Sequence, residues 1–144
     1  MPSDHTMEDW ELLAQVSQAY RTLSDDFMEQ IGMHRAQATL LCRLYRNEGM
    51  TQSEIADRLS VQGATVTSIL QRLEEAGLVM RRRDPVDNRL VRVYLTDAGR
   101  QKERAITEQF LQLEDAMFAG ISEEERSLAR RLLQQILRNM AART

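Results

Sequence analysis

A mainly α-helical fold carrying one small β-hairpin is what this sequence predicts. Three observations predict it. Apolar residues recur every three or four positions through most of the chain, the spacing of one helix face. Apolar and polar residues alternate only in one short stretch, Val91–Leu95. Glycine is scarce, and four of the six, Gly32, Gly49, Gly77 and Gly120, each follow a helical pattern, where glycine ends a helix. With 144 residues, 42% hydrophobic and 28% charged, the chain is expected to form a single domain over residues 1–144 with a sizeable core.

Met7–Ile31 carries Leu13, Val16, Tyr20, Leu23, Phe27 and Ile31 as one stripe of a long amphipathic helix. Arg35–Glu48, with Ala38, Leu40, Leu41, Leu44 and Tyr45, reads as a second, more buried helix. Thr51 and Glu54 have the spacing of a capping box, in which the hydroxyl accepts from an otherwise orphan N–H; a short helix over Gln52–Leu59 follows. Ser60 to Gly63 reads as a tight turn, and Ala64–Ala76 as a further helix stopped by Gly77. Leu78–Arg83 and Leu90–Leu95 are the arms of an antiparallel hairpin around the turn-rich Asp84–Arg89. Thr96 is placed to cap a helix from Asp97 to about Ala119, with Ile106, Phe110, Leu113 and Met117 on its stripe. Ser122 and Glu125 repeat the capping-box spacing ahead of a last helix, Glu123–Ala141. That helix is apolar on more than one side, with Leu128, Leu132, Leu133, Ile136, Leu137 and Met140.

Composition excludes several classes. No apolar run approaches the roughly 20 residues of a membrane span, and the acidic start MPSDHTMEDWELLAQ lacks the basic and apolar regions of a secretory signal. No membrane partner and a cytoplasmic location are therefore expected. One cysteine, Cys42, allows neither an internal disulfide nor a cysteine-cluster metal site, and the histidines, His5 and His34, stand far apart. No metal or other cofactor is expected. With no nucleophile–base–acid set and no Gly-rich phosphate loop, neither catalytic residues nor enzymatic activity is expected.

The net charge of −3 argues against general affinity for nucleic acid, but its distribution does not. Arg81, Arg82, Arg83, Arg89 and Arg92 face only Asp84 and Asp87 within the hairpin, a local excess of three positive charges. The acidic excess lies in Met7–Glu11, Asp25–Glu29 and Glu123–Glu125.

Gln52–Leu70 has the apolar offsets of a helix-turn-helix: Ile55, Leu59, Val61, Val66 and Ile69, with small Ala56 where the two helices approach most closely. The glycine often found in the turn is replaced by Ser60. The outer face of the second helix offers Gln62, Ala64, Thr65, Thr67, Ser68, Gln71 and Arg72. Such short side chains can enter a major groove and reach base edges and phosphates. A solvated face is also polar, but it usually favours Glu and Lys, and Gln62–Arg72 holds no acidic residue. Ser53 on the preceding helix and Arg82, Asp87 and Arg89 on the hairpin complete the expected DNA contacts. Arg89 suits insertion into a narrow minor groove, with Asp87 two residues away to pair with a guanidinium and fix its direction. Asp84 and Pro85 would stiffen the tip.

Asp84, Pro85, Asp87 and Arg89, followed by Leu95, Thr96 and Gly99, resemble in register the wing signature of the MarR family of transcription regulators. The resemblance implies a winged helix-turn-helix over 35–95, flanked by dimerisation helices over 7–31 and 97–141. It implies a homodimer on pseudo-palindromic double-stranded DNA, acting as a repressor released by a small aromatic or phenolic effector. Tyr20, His34, Cys42, Tyr45 and Arg46 are the candidates for effector binding. Each has a plainer reading: Tyr20 and Tyr45 as core packing, His34 as a cap or solvent residue, Cys42 as an inert core thiol. Two alternatives stay open, a redox-sensing regulator using Cys42 and a winged-helix protein-interaction module without DNA binding.

Overall fold

The structure is a computed structural model that describes residues 6–143; His5 lies outside them. Seven helices and three strands follow in the order α1 (Asp9–Glu29), α2 (Arg35–Arg46), β1 (Met50–Thr51), α3 (Gln52–Leu59), α4 (Gly63–Glu75), β2 (Val79–Arg83), β3 (Val91–Leu95), α5 (Asp97–Gln101), α6 (Glu103–Met117) and α7 (Glu123–Ala141) among the described residues. Two compact units divide the chain, Met1–Leu111 and Gln112–Thr144.

In the first unit the core is built from Leu40, Leu41 and Leu44 of α2, Ile55 of α3, Val66, Leu70 and Leu73 of α4, Val93 of β3 and Ile106 of α6, all buried. Both expected capping residues of this unit act: Thr51 Oγ1 accepts from the Glu54 N–H at 3.2 Å while Glu54 returns to the Thr51 N–H at 3.1 Å, and Thr96 Oγ1 accepts from the Gly99 N–H at 3.1 Å. The four glycines after helical patterns all take positive φ. So does Ser60, at φ 53°, filling the place of the missing turn glycine. There the Val61 N–H closes the end of α3 on the Ala56 carbonyl at 3.1 Å. Val61 itself is exposed, not part of the helix-turn-helix core.

Several expectations are corrected. The hairpin β2–β3 is part of a three-stranded antiparallel sheet, order β1-β3-β2, in which Met50 pairs with Val93. A two-residue strand is too short to show a period. Helix α2 stops at Arg46 rather than Glu48, because Glu48 Oε1 accepts from the Leu95 N–H at 2.9 Å and from Arg100 at 2.8 Å. The single helix expected from Asp97 divides at Lys102, whose N–H turns to the Gly99 carbonyl three residues back. The Tyr45 hydroxyl donates to that same carbonyl at 2.6 Å, a side chain inserted into the helix ladder. On α1 the buried residues are Ser24 and Met28, not the expected stripe. Buried Ser24 is tolerated because its hydroxyl donates to the Tyr20 carbonyl at 2.7 Å. Leu13, Val16 and Tyr20 are exposed, so Tyr20 is not core packing within this chain.

In the second unit, Ser122 and Glu125 form the expected capping box at the start of α7. Arg126 pairs with Glu114 at 2.9 Å and lies 4.6 Å over the Phe118 ring. Nothing on α7 is buried. No helix among the described residues is long and apolar enough to cross a membrane.

Candidate nucleic-acid interface

Helix α4 buries one face through Val66, Leu70 and Leu73, which leaves the opposite face outward by the 3.6-residue period. Gln62, Ala64, Thr65, Thr67, Ser68, Gln71 and Arg72 are all exposed on it, and Ser53 is exposed on α3. The side chains of Gln62, Thr65, Ser68, Gln71 and Arg72 make no hydrogen bond to the described residues, so their donors remain available.

A network below this face was not legible in the sequence. Gln52 Nε2 donates to Thr67 Oγ1 at 3.1 Å, and Arg81 Nη1 donates to Gln52 Oε1 at 3.3 Å. The Arg81 guanidinium also pairs with Glu74. Glu74, on the flank of α4, is therefore paired with a β2 arginine, and α3, α4 and β2 are tied together.

At the hairpin tip, Asp84 Oδ1 accepts from the N–H groups of Val86 at 2.8 Å and Asp87 at 2.9 Å. Its Oδ2 accepts from Arg92 Nε at 2.6 Å, and Arg92 Nη1 donates to the Gly49 carbonyl at 2.9 Å, joining the tip to the turn before β1. The Arg92 guanidinium and the two backbone donors lower the Asp84 carboxyl to about 2. Asp87 receives Arg89 through two bonds, Nε to Oδ1 at 3.0 Å and Nη2 to Oδ2 at 3.2 Å, and its carboxyl is lowered by that pair. Arg89 remains 90% exposed in its side chain. The tip thus pairs one guanidinium with a carboxylate while leaving it in solvent, the pairing that the spacing of Asp87 and Arg89 predicted. Arg82 lies 5.9 Å from the centre of the Tyr94 ring and is exposed.

The five effector candidates are not drawn into one cavity. Tyr20 is exposed on α1, and His34 is exposed at the N-cap of α2 without capping it. Cys42, Tyr45 and Arg46 share a face of α2 by their three- and four-residue spacing. Tyr45 packs half-buried against the core with its hydroxyl already used, and burial, Cys42 and Glu103 push it up to about 12. Burial raises the Cys42 thiol, against the pull of Arg46 and Arg43. A raised thiol is poor in thiolate, which argues against a redox switch there.

The sequence model of the MarR family matches residues 33–91, from just before α2 to the first residue of β3. The uncharacterized HTH-type transcriptional regulator YdgJ of Bacillus subtilis is 32% identical over 133 residues, covering 92% of this chain and 81% of that protein. The chain belongs to the MarR family. A second B. subtilis regulator, YwoH, is also 32% identical, over 88% of this chain and 93% of its own. Among solved structures, S. aureus MepR in complex with DNA matches with a TM-score of 0.84 and 29% identity, over 92% of this chain and 98% of that one. As a MarR-family member the chain is an HTH-type transcription regulator with a DNA-binding winged helix, in a group of regulators rather than enzymes.

Proposed function

We propose that this MarR-family regulator binds pseudo-palindromic duplex DNA as a homodimer, with α4 in the major groove and the wing in the neighbouring minor groove, and represses by occupying promoter DNA. The observation that carries the reading is the exposed face of α4, which over Gln62–Arg72 holds no acidic side chain and leaves five polar side chains unpaired. A face that avoids negative charge beside an arginine held in solvent suits a polyanion. The DNA-bound MepR, similar over nearly its whole length, supports duplex DNA as the partner. On this reading Ser53, Gln62, Ala64, Thr65, Thr67, Ser68, Gln71 and Arg72 contact the major groove or its phosphates. Arg82 and Arg89 contact the wing side, with Asp87 orienting Arg89.

A second copy is supported by apolar side chains that this chain leaves in water. They include Trp10, Leu12 and Val16 on α1, and Leu132, Leu137 and Met140 on α7, each between 46% and 69% exposed. A two-fold pair would set two α4 helices about one DNA turn apart.

Selection of random duplexes by the purified protein at fixed salt tests the proposal. A pseudo-palindromic site is expected, and Arg89→Ala should weaken it by about 1–3 kcal/mol. Equal binding to every duplex, or none, would refute it.

A further inference from the structure

We propose that Thr67 reads a thymine methyl group in the DNA site. The inference rests on the placement of α4 in the major groove proposed above. A threonine hydroxyl has one proton to give. In this structure Thr67 Oγ1 donates it to the Gly63 carbonyl, four residues back, at 3.1 Å. The same oxygen accepts from Gln52 Nε2 at 3.1 Å. The orientation of that amide is set in turn by Arg81, which donates to Gln52 Oε1 at 3.3 Å and which only the carbonyl end can accept. The hydroxyl is therefore held from both sides by the protein.

With its proton committed, Thr67 cannot donate to a phosphate, to guanine O6 or N7, to adenine N7 or to thymine O4. What it has left to present is its Cγ2 methyl and one oxygen lone pair, and of these only the methyl suits thymine, which offers no donor in the major groove. Ala64 is exposed three residues earlier, hence a neighbour on the same helix face, and it too offers only a methyl. Thr65 and Ser68 differ, because their hydroxyls make no bond to the described residues and stay free to donate. The polar face of α4 thus contains a small apolar spot between free donors. In the major groove only thymine presents a methyl of its own. Removing one methyl from such a contact corresponds to about a fourfold loss of affinity.

The test uses the duplex obtained by selection with the full chain. Each thymine of a half-site is replaced in turn by deoxyuridine, which lacks only the C5 methyl, and affinity is measured at fixed salt. For the unaltered protein, one position per half-site should lose about fourfold on replacement. Thr67→Val keeps the methyl and should keep that loss, with an unchanged salt dependence, since no phosphate contact is removed. Thr67→Ser keeps the hydroxyl and should bind the thymine and deoxyuridine duplexes alike at that position. The assignment is overturned if uracil is tolerated everywhere, or if Thr67→Ser retains the thymine preference, which would place the methyl contact on another residue such as Ala64. Failure of the DNA reading looks different: selection then enriches no duplex at all.

Discussion

Helices α4 and α7 both expose most of their length, for opposite reasons. On α4 the apolar residues Val66, Leu70 and Leu73 are buried in the chain's own core, and what faces out is short and polar. On α7 nothing is buried, and Leu128, Leu132, Leu133, Leu137 and Met140 are all exposed. The first helix is complete as a surface, because its apolar side is covered and its polar side is hydrated. The second is incomplete, because several leucines on one helix, each about half exposed, forgo the stabilisation that covering the rest would give, roughly 1 kcal/mol each. Within one chain, then, one exposed surface is matched to water and polar partners, and another is matched only to something apolar.

The most direct way to break this comparison is to make α7 suit water. Leu132→Glu combined with Leu137→Glu should leave helix content unchanged by circular dichroism, since both side chains are already exposed. If a second copy covers α7, the altered chain should sediment as a monomer and lose about a thousandfold in affinity for its duplex, ~4 kcal/mol, because one winged unit holds half of the contacts. An altered chain that stays dimeric would remove α7 from the interface.

The second test probes the opposite property, how closely the winged unit is packed on itself. A Cβ added at Gly99 would stand 2.1 Å from the Leu78 carbonyl oxygen. That oxygen accepts at 3.1 Å from the N–H of Thr96, the N-cap residue of α5, so it cannot withdraw without breaking that bond. Gly99→Ala should cost about 3 kcal/mol, read as a melting temperature lower by roughly 10 °C. A change under about 1 kcal/mol would mean that this junction is loose.

The same contrast explains what the sequence disclosed. Capping boxes at Thr51/Glu54 and Ser122/Glu125, the Asp87–Arg89 pair and the polar face of α4 are local, fixed by residues within a turn or two, and they could be read directly. Glu48, Gln52 and Arg92 could not, because their partners Leu95, Arg81 and Gly49 lie 47, 29 and 43 residues away. Strand β1 exists only through β3. The apolar stripe of α1 was legible as a stripe, but periodicity alone does not say which stretch faces the chain's own core. Leu23, Phe27 and Ile31 are half-buried while Leu13, Val16 and Tyr20 stay in water.

A smaller effect sharpens the helix-turn-helix side. Ser60 holds φ 53° between α3 and α4, a left-handed conformation that glycine adopts without a steric penalty. Ser60→Gly should therefore raise stability in denaturant by about 0.5–1 kcal/mol, with binding unchanged. A loss of stability would mean that the entropy of glycine in the unfolded chain outweighs the relief.

The smallest effect concerns the wing, whose order rests on a charge rather than on burial. Asp84 gathers two backbone N–H groups and the Arg92 guanidinium, and its carboxyl falls from 3.8 to about 2. A group whose folded value is depressed contributes stability that is complete above its unfolded value and lost as pH falls through the folded one. The wing should keep its geometry down to about pH 4 and give it up as Asp84 takes a proton near pH 2. The carboxyl carbon of Asp84, followed by NMR, should titrate with a midpoint near 2, and Arg92→Ala should move that midpoint up towards 3.8. A midpoint near 3.8 in the unaltered chain would show that Arg92 does not hold the tip. Because the window lies far below neutrality, the wing's order should be constant across the pH range in which DNA binding is measured. Any pH dependence of binding found there must then come from the DNA-facing residues or the association of two chains, not from the loop that presents Arg89.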